Sequence, residues 1–236
     1  MVFLAETIQS VQMQCGAEYE HIFVDGDSTD GTLEYLKNLP GNIRVLNNVS
    51  GGIAQAMNAG IRAADGDVIA HLHSDDYYLN PNVFSTVLDV FERTGCQWLF
   101  GRIMSDIDGV LVPEHYVVPH YCYKSFLQRN FIPHPATFIR RDVFEECGLF
   151  NETLRYAMDY DLFLRIARRY DPQQLNEHLA VFRRHANSAT QANFMKSFAE
   201  DFAVRCMHAK WYQIPESTLR YFVRRHQHLK RLDRNG

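Results

Sequence analysis

What most constrains this chain is an alternation in its first half. Short apolar runs that read as buried strands are each followed by a turn-rich segment and then by a helical period. Leu4, Ile8 and Val11 lie on one helical face, which Cys15 would extend. His21-Ile22-Phe23-Val24 reads as a strand ending at Asp25, and residues 32–38 read as a helix. Residues 43–46 form a second strand, and 53–64 a helix with Ile53, Met57 and Ile61 spaced by four. Residues 68–72 form a third strand that runs into His73-Ser74-Asp75-Asp76. Strands alternating with helices predict a mostly parallel α/β sheet. Such sheets gather ligands at the carboxyl ends of their strands, where Asp25 and Asp75-Asp76 fall.

Beyond Pro81 the pattern changes. A helix over 83–93 precedes a strand over 98–103, and Asp108-Gly109 marks a hairpin turn. A strand over 137–139, a helix over 142–147 and an amphipathic helix over 158–169 follow. The last forty or so residues read as two helices parted near Pro215.

Composition removes several classes of function. With 236 residues, 46% of them hydrophobic, the chain can bury a core. A net charge of −4 argues against nucleic acid as a partner. Five scattered cysteines without a C-x-x-C pair suit free thiols in a reducing cytosol, and exclude a disulfide framework. No apolar run reaches the roughly 20 residues that a membrane span needs. The N-terminus lacks the basic region of a signal peptide. The reading is a cytoplasmic protein.

The acidic and glycine segments carry the chemistry. Val24-Asp25-Gly26-Asp27-Ser28-Thr29-Asp30-Gly31-Thr32 places a carboxylate at a strand end, where it can accept strongly from N–H and O–H donors of a ligand. Ser28 to Asp30 read as turn and cap residues. In Ser50-Gly51-Gly52 the backbone can approach a nucleotide closely, and the helix behind it carries Asn58. Asp75 and Asp76 set two like charges side by side at the ligand edge of the sheet, an arrangement that calls for a cation. Met158-Asp159-Tyr160-Asp161 opens a helix with two acids, which the macrodipole favours. His134 and His185 offer imidazoles, and Arg183 or Arg184 a cationic clamp.

Taken in order, these segments resemble family 2 glycosyltransferases over about residues 5–190. The resemblance implies a GT-A fold: a Rossmann-like, mostly parallel sheet, a mixed acceptor-side half and C-terminal helices. It divides the chain into a transferase domain over 1–190 and a helical extension over 191–236. The implied enzyme is a metal-dependent, inverting hexosyltransferase that moves a sugar from a nucleotide-diphosphate donor to a saccharide or lipid-linked acceptor in cell-surface polysaccharide or glycolipid synthesis. The family roles fall on Asp25, Gly52, Asn58 and Asp75 for the nucleotide, Asp76 and His185 for Mn²⁺ or Mg²⁺, His134 for sugar or acceptor, and Asp159 as base. Met158 stands where the family often has Glu.

Family members open with a strand ending in Pro-x-Tyr-Asn, whereas here the sequence starts at the following helix. The expectation is therefore a sheet without its first strand. This leaves a non-catalytic nucleotide-sugar-binding subunit or an inactive fragment as the alternative. The tail carries Arg220, Arg224, Arg225, Lys230, Arg231 and Arg234 among apolar residues, and is read as a peripheral contact with the inner face of a membrane.

Overall fold

A computed structural model describes residues 3–114, 118–184 and 193–235, with side chains through residue 226. The chain begins with α1 (Leu4–Gln12), which buries Leu4, Ile8 and Val11, while Cys15 lies beyond its end and is exposed. β1 (His21–Val24), α2 (Thr32–Lys37), β2 (Ile43–Leu46), α3 (Ile53–Ala63) and β3 (Val68–Ala70) follow, close to the bounds read from sequence. Met57 and Ile61 face inward as their spacing predicts, but Ile53, in the first turn, is exposed.

Next come β4 (Tyr77–Tyr78), α4 (Val83–Thr94), β5 (Trp98–Ile107) and β6 (Val110–Pro113). Asp108 and Gly109 both have positive φ, 52° and 83°, which gives the β5–β6 hairpin the turn its Asp-Gly pair predicts. α5 (Tyr123–Gln128), β7 (Thr137–Arg140), α6 (Arg141–Cys147), α7 (Met158–Ala167) and β8 (Gln173–Arg184) complete the body. Two helices close the chain, α8 (Phe194–His208) and α9 (Ile214–Asn235). The break between them is at 209–213, and Pro215 sits inside the first turn of α9, where its missing N–H costs nothing.

The strands form two sheets. β1 pairs with β2 in parallel, as a two-stranded unit. The other sheet runs β3-β7-β5-β8-β4, with β6 added on β5. It is mixed: β8 is parallel to β5, while β7 is antiparallel to both β5 and β3. Near Arg102 the β5–β8 register shifts. A Cβ on the adjacent Gly101 would come within 2.5 Å of the Leu179 side chain, so only glycine allows this approach. Among the described residues no strand lies between β1 and β3. The space between them is a cavity of about 900 Å³ that both strands line. The main core borders this cavity through Met57, Ile61 and Ile69 and, deeper in, seals Trp98, Phe126, Tyr160, Leu162 and Leu164 from solvent.

Candidate active site

Asp25 and Asp75 both line that cavity; Asp25 follows the end of β1 as expected, whereas β3 stops at Ala70 and Asp75 stands in the loop beyond it. Asp25 follows β1 and is 5% exposed. Its Oδ2 accepts from the Ser28 N–H at 2.8 Å, which closes the turn. Asp30 accepts from the Thr32 N–H at 3.2 Å at the start of α2, the backbone role expected of it. Gly52 caps α3, whose Ile53, Ala56 and Met57 line the cavity; it has φ +107°, a conformation that side chains rarely adopt, and the space beside its Cα is open.

The Asp75-Asp76 loop is held from α1 and from β8. The Thr7 hydroxyl, on α1, donates to the carbonyls of Asp76 (2.7 Å) and Ser74 (3.1 Å). The Arg183 Nε donates to the Asp75 carbonyl at 3.1 Å, and the Arg183 backbone N–H to Asp76 Oδ1 at the same distance. Asp76 Oδ2 is buried and has no hydrogen-bond partner. Burial, with Asp75 next in effect, pushes the Asp76 carboxyl up to about 8. An orphaned, proton-holding carboxylate beside a second one fits a divalent cation, whose charge would replace that proton. Among the described residues no three His, Cys, Asp or Glu side chains converge as ligands. Asp75 and Asp76 would thus be one side of a site completed by phosphate and water, the usual habit of Mg²⁺. His185 lies outside the described residues.

Three expectations change here. Asn58 is 1% exposed, and its amide is fully engaged with the loop before α7. It donates to the Phe150 carbonyl (2.9 Å) and Glu152 (2.8 Å) and accepts from the Phe150 N–H (2.9 Å). That makes it a brace between α3 and this loop, turned away from the cavity, rather than a nucleotide contact. Arg183 is also occupied: it pairs with Asp106 at 3.0 Å and Glu6 at 2.5 Å, and lies over the rings of Phe3 and Tyr77. Arg184 is held by both oxygens of Glu114 at 3.0 Å. Neither arginine is available as a diphosphate clamp without breaking these pairs.

His134 belongs to a cluster that sequence reasoning did not assemble. Its ring stacks on His73 at 5.2 Å and neighbours His71 at 5.6 Å. Burial, then the two other imidazoles, holds His134 well below the usual histidine range. His71 is pushed down to about 3 in the same way. All three are therefore neutral at physiological pH. Two of them follow directly from β3; the third is brought in by the turn before β7, 61 or more residues later in the chain, which no local pattern announces.

Asp159 stands in the first turn of α7, where its Oδ1 accepts from the Tyr160 N–H at 2.7 Å. Burial, opposed by that N–H and reinforced by the charge of Asp201, pushes its carboxyl up to about 6. It can thus exchange a proton near neutral pH. Asp161, read as a helix-start charge, has a further role. It is buried, and pairs with Arg165 at 3.0 Å and with His208 of α8 at 2.8 Å. Sequence reasoning also missed Thr7 and Glu200. Their partners lie 43 to 69 residues away, so no local signal marks them.

Comparison with known proteins shows the family and the fold. The profile of glycosyl transferase family 2 matches residues 2–148. The chain is 30% identical over 171 residues to a chondroitin synthase of Pasteurella multocida, covering 70% of this chain but 17% of that protein. It is also 30% identical over 186 residues to an uncharacterized glycosyltransferase, MT1564, of Mycobacterium tuberculosis, covering 76% of this chain and 69% of that one. The fold matches S. aureus TarS 1-349 in complex with UDP-GlcNAc, with a TM-score of 0.71, 17% identity and coverage of 86% and 62% of the two chains. It matches a Pyrobaculum calidifontis mannosyltransferase in complex with GDP-Man and Mn²⁺ with a TM-score of 0.69, 14% identity and coverage of 93% and 66%. With half its motifs on one cavity and its fold shared with these enzymes, the chain belongs to glycosyl transferase family 2 and has the GT-A fold.

Proposed function

We propose that this chain is an inverting glycosyltransferase that moves a sugar from a nucleotide-diphosphate donor to an acceptor hydroxyl, in cell-surface polysaccharide or glycolipid synthesis. The observation that carries the reading is Asp159: a partly covered carboxylate, pushed up to about 6, in a family 2 fold whose Asp25 and Asp75 open on a common cavity. In this reading Asp25 accepts from the nucleobase or ribose, Gly52 lets the backbone approach the nucleotide, and Asp75 accepts from the ribose. Asp75 and Asp76 would hold Mn²⁺ or Mg²⁺. Such a cation would offset the charge that develops on the leaving diphosphate.

Asp159 takes the proton of the acceptor hydroxyl as its oxygen attacks the anomeric carbon. The bond from that carbon to the diphosphate oxygen breaks, and the nucleoside diphosphate leaves. His134, neutral in its cluster, would border the sugar or acceptor. Among the described residues no helix is long and apolar enough to cross a membrane. Instead, α9 exposes Leu219, Phe222 and Val223 beside Arg220 and Arg225, which suits a peripheral contact with an anionic membrane face. Tyr221 is excluded from that contact, since it stacks on Phe198 and Phe202 of α8.

The test is nucleotide binding with and without Mn²⁺, by calorimetry with UDP and GDP in turn. Wild type should bind one of them more tightly when Mn²⁺ is present, and Asp76→Asn should lose that gain while staying folded. Equal affinity in all conditions for both proteins would sink the assignment.

A further inference from the structure

The N-terminus of α7 has no cap of its own, since Ala157 at that position offers no side-chain acceptor. The segment that leads into it is instead held from elsewhere in the chain. Glu200, on α8, places one carboxylate oxygen against three successive backbone N–H groups: Arg155 at 2.9 Å, Tyr156 at 2.6 Å and Ala157 at 2.8 Å. These lie immediately ahead of Asp159. The same helix is anchored along its length. Val204 and Arg205 are buried, His208 pairs with Asp161 at 2.8 Å, and the His208 carbonyl accepts from Arg168 at 2.6 Å. α8 is thus bound to α7 at the start, in the middle and at the end.

A helix N-terminus favours the anionic form of any carboxylate placed there. Asp159 itself accepts from the Tyr160 N–H at 2.7 Å, which favours its anion, so burial has to keep its affinity for protons near the working pH, where a general base works best. We infer that Glu200 is a positioning residue for the base: its carboxylate gathers the N–H groups of the three residues that lead into α7, and so fixes where Asp159 enters the helix and how far it is buried. This rests on the reading of Asp159 as the base. Burial is the largest cause of the upward displacement of Asp159, and its burial depends on where the helix begins.

The other groups facing Asp159 act in both directions. From α8, Asp201 opposes its ionisation and is itself paired with Arg205. Asn130, in the loop after α5, favours ionisation. Arg224 of α9 and Arg129 lie near the Asp201–Arg205 pair. On α7 itself, Asp161 is matched by Arg165 and His208. Glu200 differs from these in engaging the backbone that leads into the helix rather than a side chain.

The experiment is a carboxyl carbon-13 NMR titration of the full chain, with the Asp159 signal assigned by its loss in Asp159→Asn. Glu200→Gln retains an acceptor oxygen but loses the charge that strengthens these bonds, so the entry to α7 loosens, Asp159 is less buried, and its midpoint should fall by about half a pH unit. Glu200→Ala should lower it at least as much and also lower the melting temperature. Phe198→Ala, which removes a stacking contact between α8 and α9, should lower the melting temperature and leave the midpoint in place. An unchanged midpoint in Glu200→Gln overturns the inference, as does an equal shift in Phe198→Ala. If Glu200→Ala does not fold, the Gln variant carries the test. None of these readings uses turnover. If Asp159→Asn kept full transfer, the base assignment would fall while the coupling of Glu200 to Asp159 could still be measured.

Discussion

Every residue of β1 keeps part of its surface open, whereas Trp98, Leu99 and Phe100 at the start of β5 are sealed. The two-stranded unit carries Asp25 and faces the cavity; the six-stranded sheet carries α7 and Asp159 on its packed side. The difference in packing matches a difference in task. A donor site must admit and release a nucleotide, and open walls with freely solvated turns allow that. A base must be held in one place with its charge partly desolvated, which only a close-packed surround provides. In this molecule, then, the loosely packed half is suited to binding and the tightly packed half to chemistry.

That division can be broken most directly by exchanging the defects. Asp159→Asn should lower transfer by at least about 100-fold and leave Mn²⁺-dependent nucleotide affinity near wild type. Asp25→Ala should do the reverse at first order, weakening nucleotide binding by about tenfold or more. Initial rates and calorimetry on both variants decide it, and the division fails if either variant moves rate and affinity together by the same factor.

Truncations probe the packing itself. Leu164→Ala, in α7 and fully buried, should cost about 3 kcal/mol in urea unfolding, as a core cavity does. Ile22→Ala borders an existing cavity and should cost about 1 kcal/mol or less. Equal losses would mean that β1 is as closely packed in solution as α7.

The smallest effect is on stability against pH. Asp159 is raised to about 6 in the folded chain, against roughly 3.9 in an unfolded one. A raised pKa contributes stability that is complete below the unfolded value and is lost as pH rises through about 6. Replacing it with Asn removes that loss. Asp159→Asn should therefore melt about 3 °C above wild type at pH 7.5, with the gap closing by pH 4. A constant gap across that range would place the origin of the effect elsewhere.

Sequence and structure agree most closely where the determining interactions are local. The bounds of β1 and β2, the Asp30 cap, the Asp108-Gly109 hairpin and the buried faces of α1 and α7 all depend on residues within about four positions of one another. The family was legible for the same reason, since its motifs are short and keep their order. β8 was not legible. Its first half is polar, its burial does not alternate, and its register on β5 shifts near Arg102. Nothing in its own residues displays the period of two that marks a strand.

The sequence by itself determined the class of the protein, the strand ends that carry its acids, and the choice of Asp25, Asp75, Asp76 and Asp159 as the residues to examine. Tertiary structure alone decided what the polar residues between them do. It turned Asn58 into a brace on Phe150, tied Arg183 into the Asp75-Asp76 loop, gathered His71, His73 and His134, and brought Glu200 to the head of α7. The physical reason is that a donor or acceptor has the same chemistry wherever it sits. Which partner it meets is fixed only when packing brings distant segments together, and burial then makes an unmet partner costly.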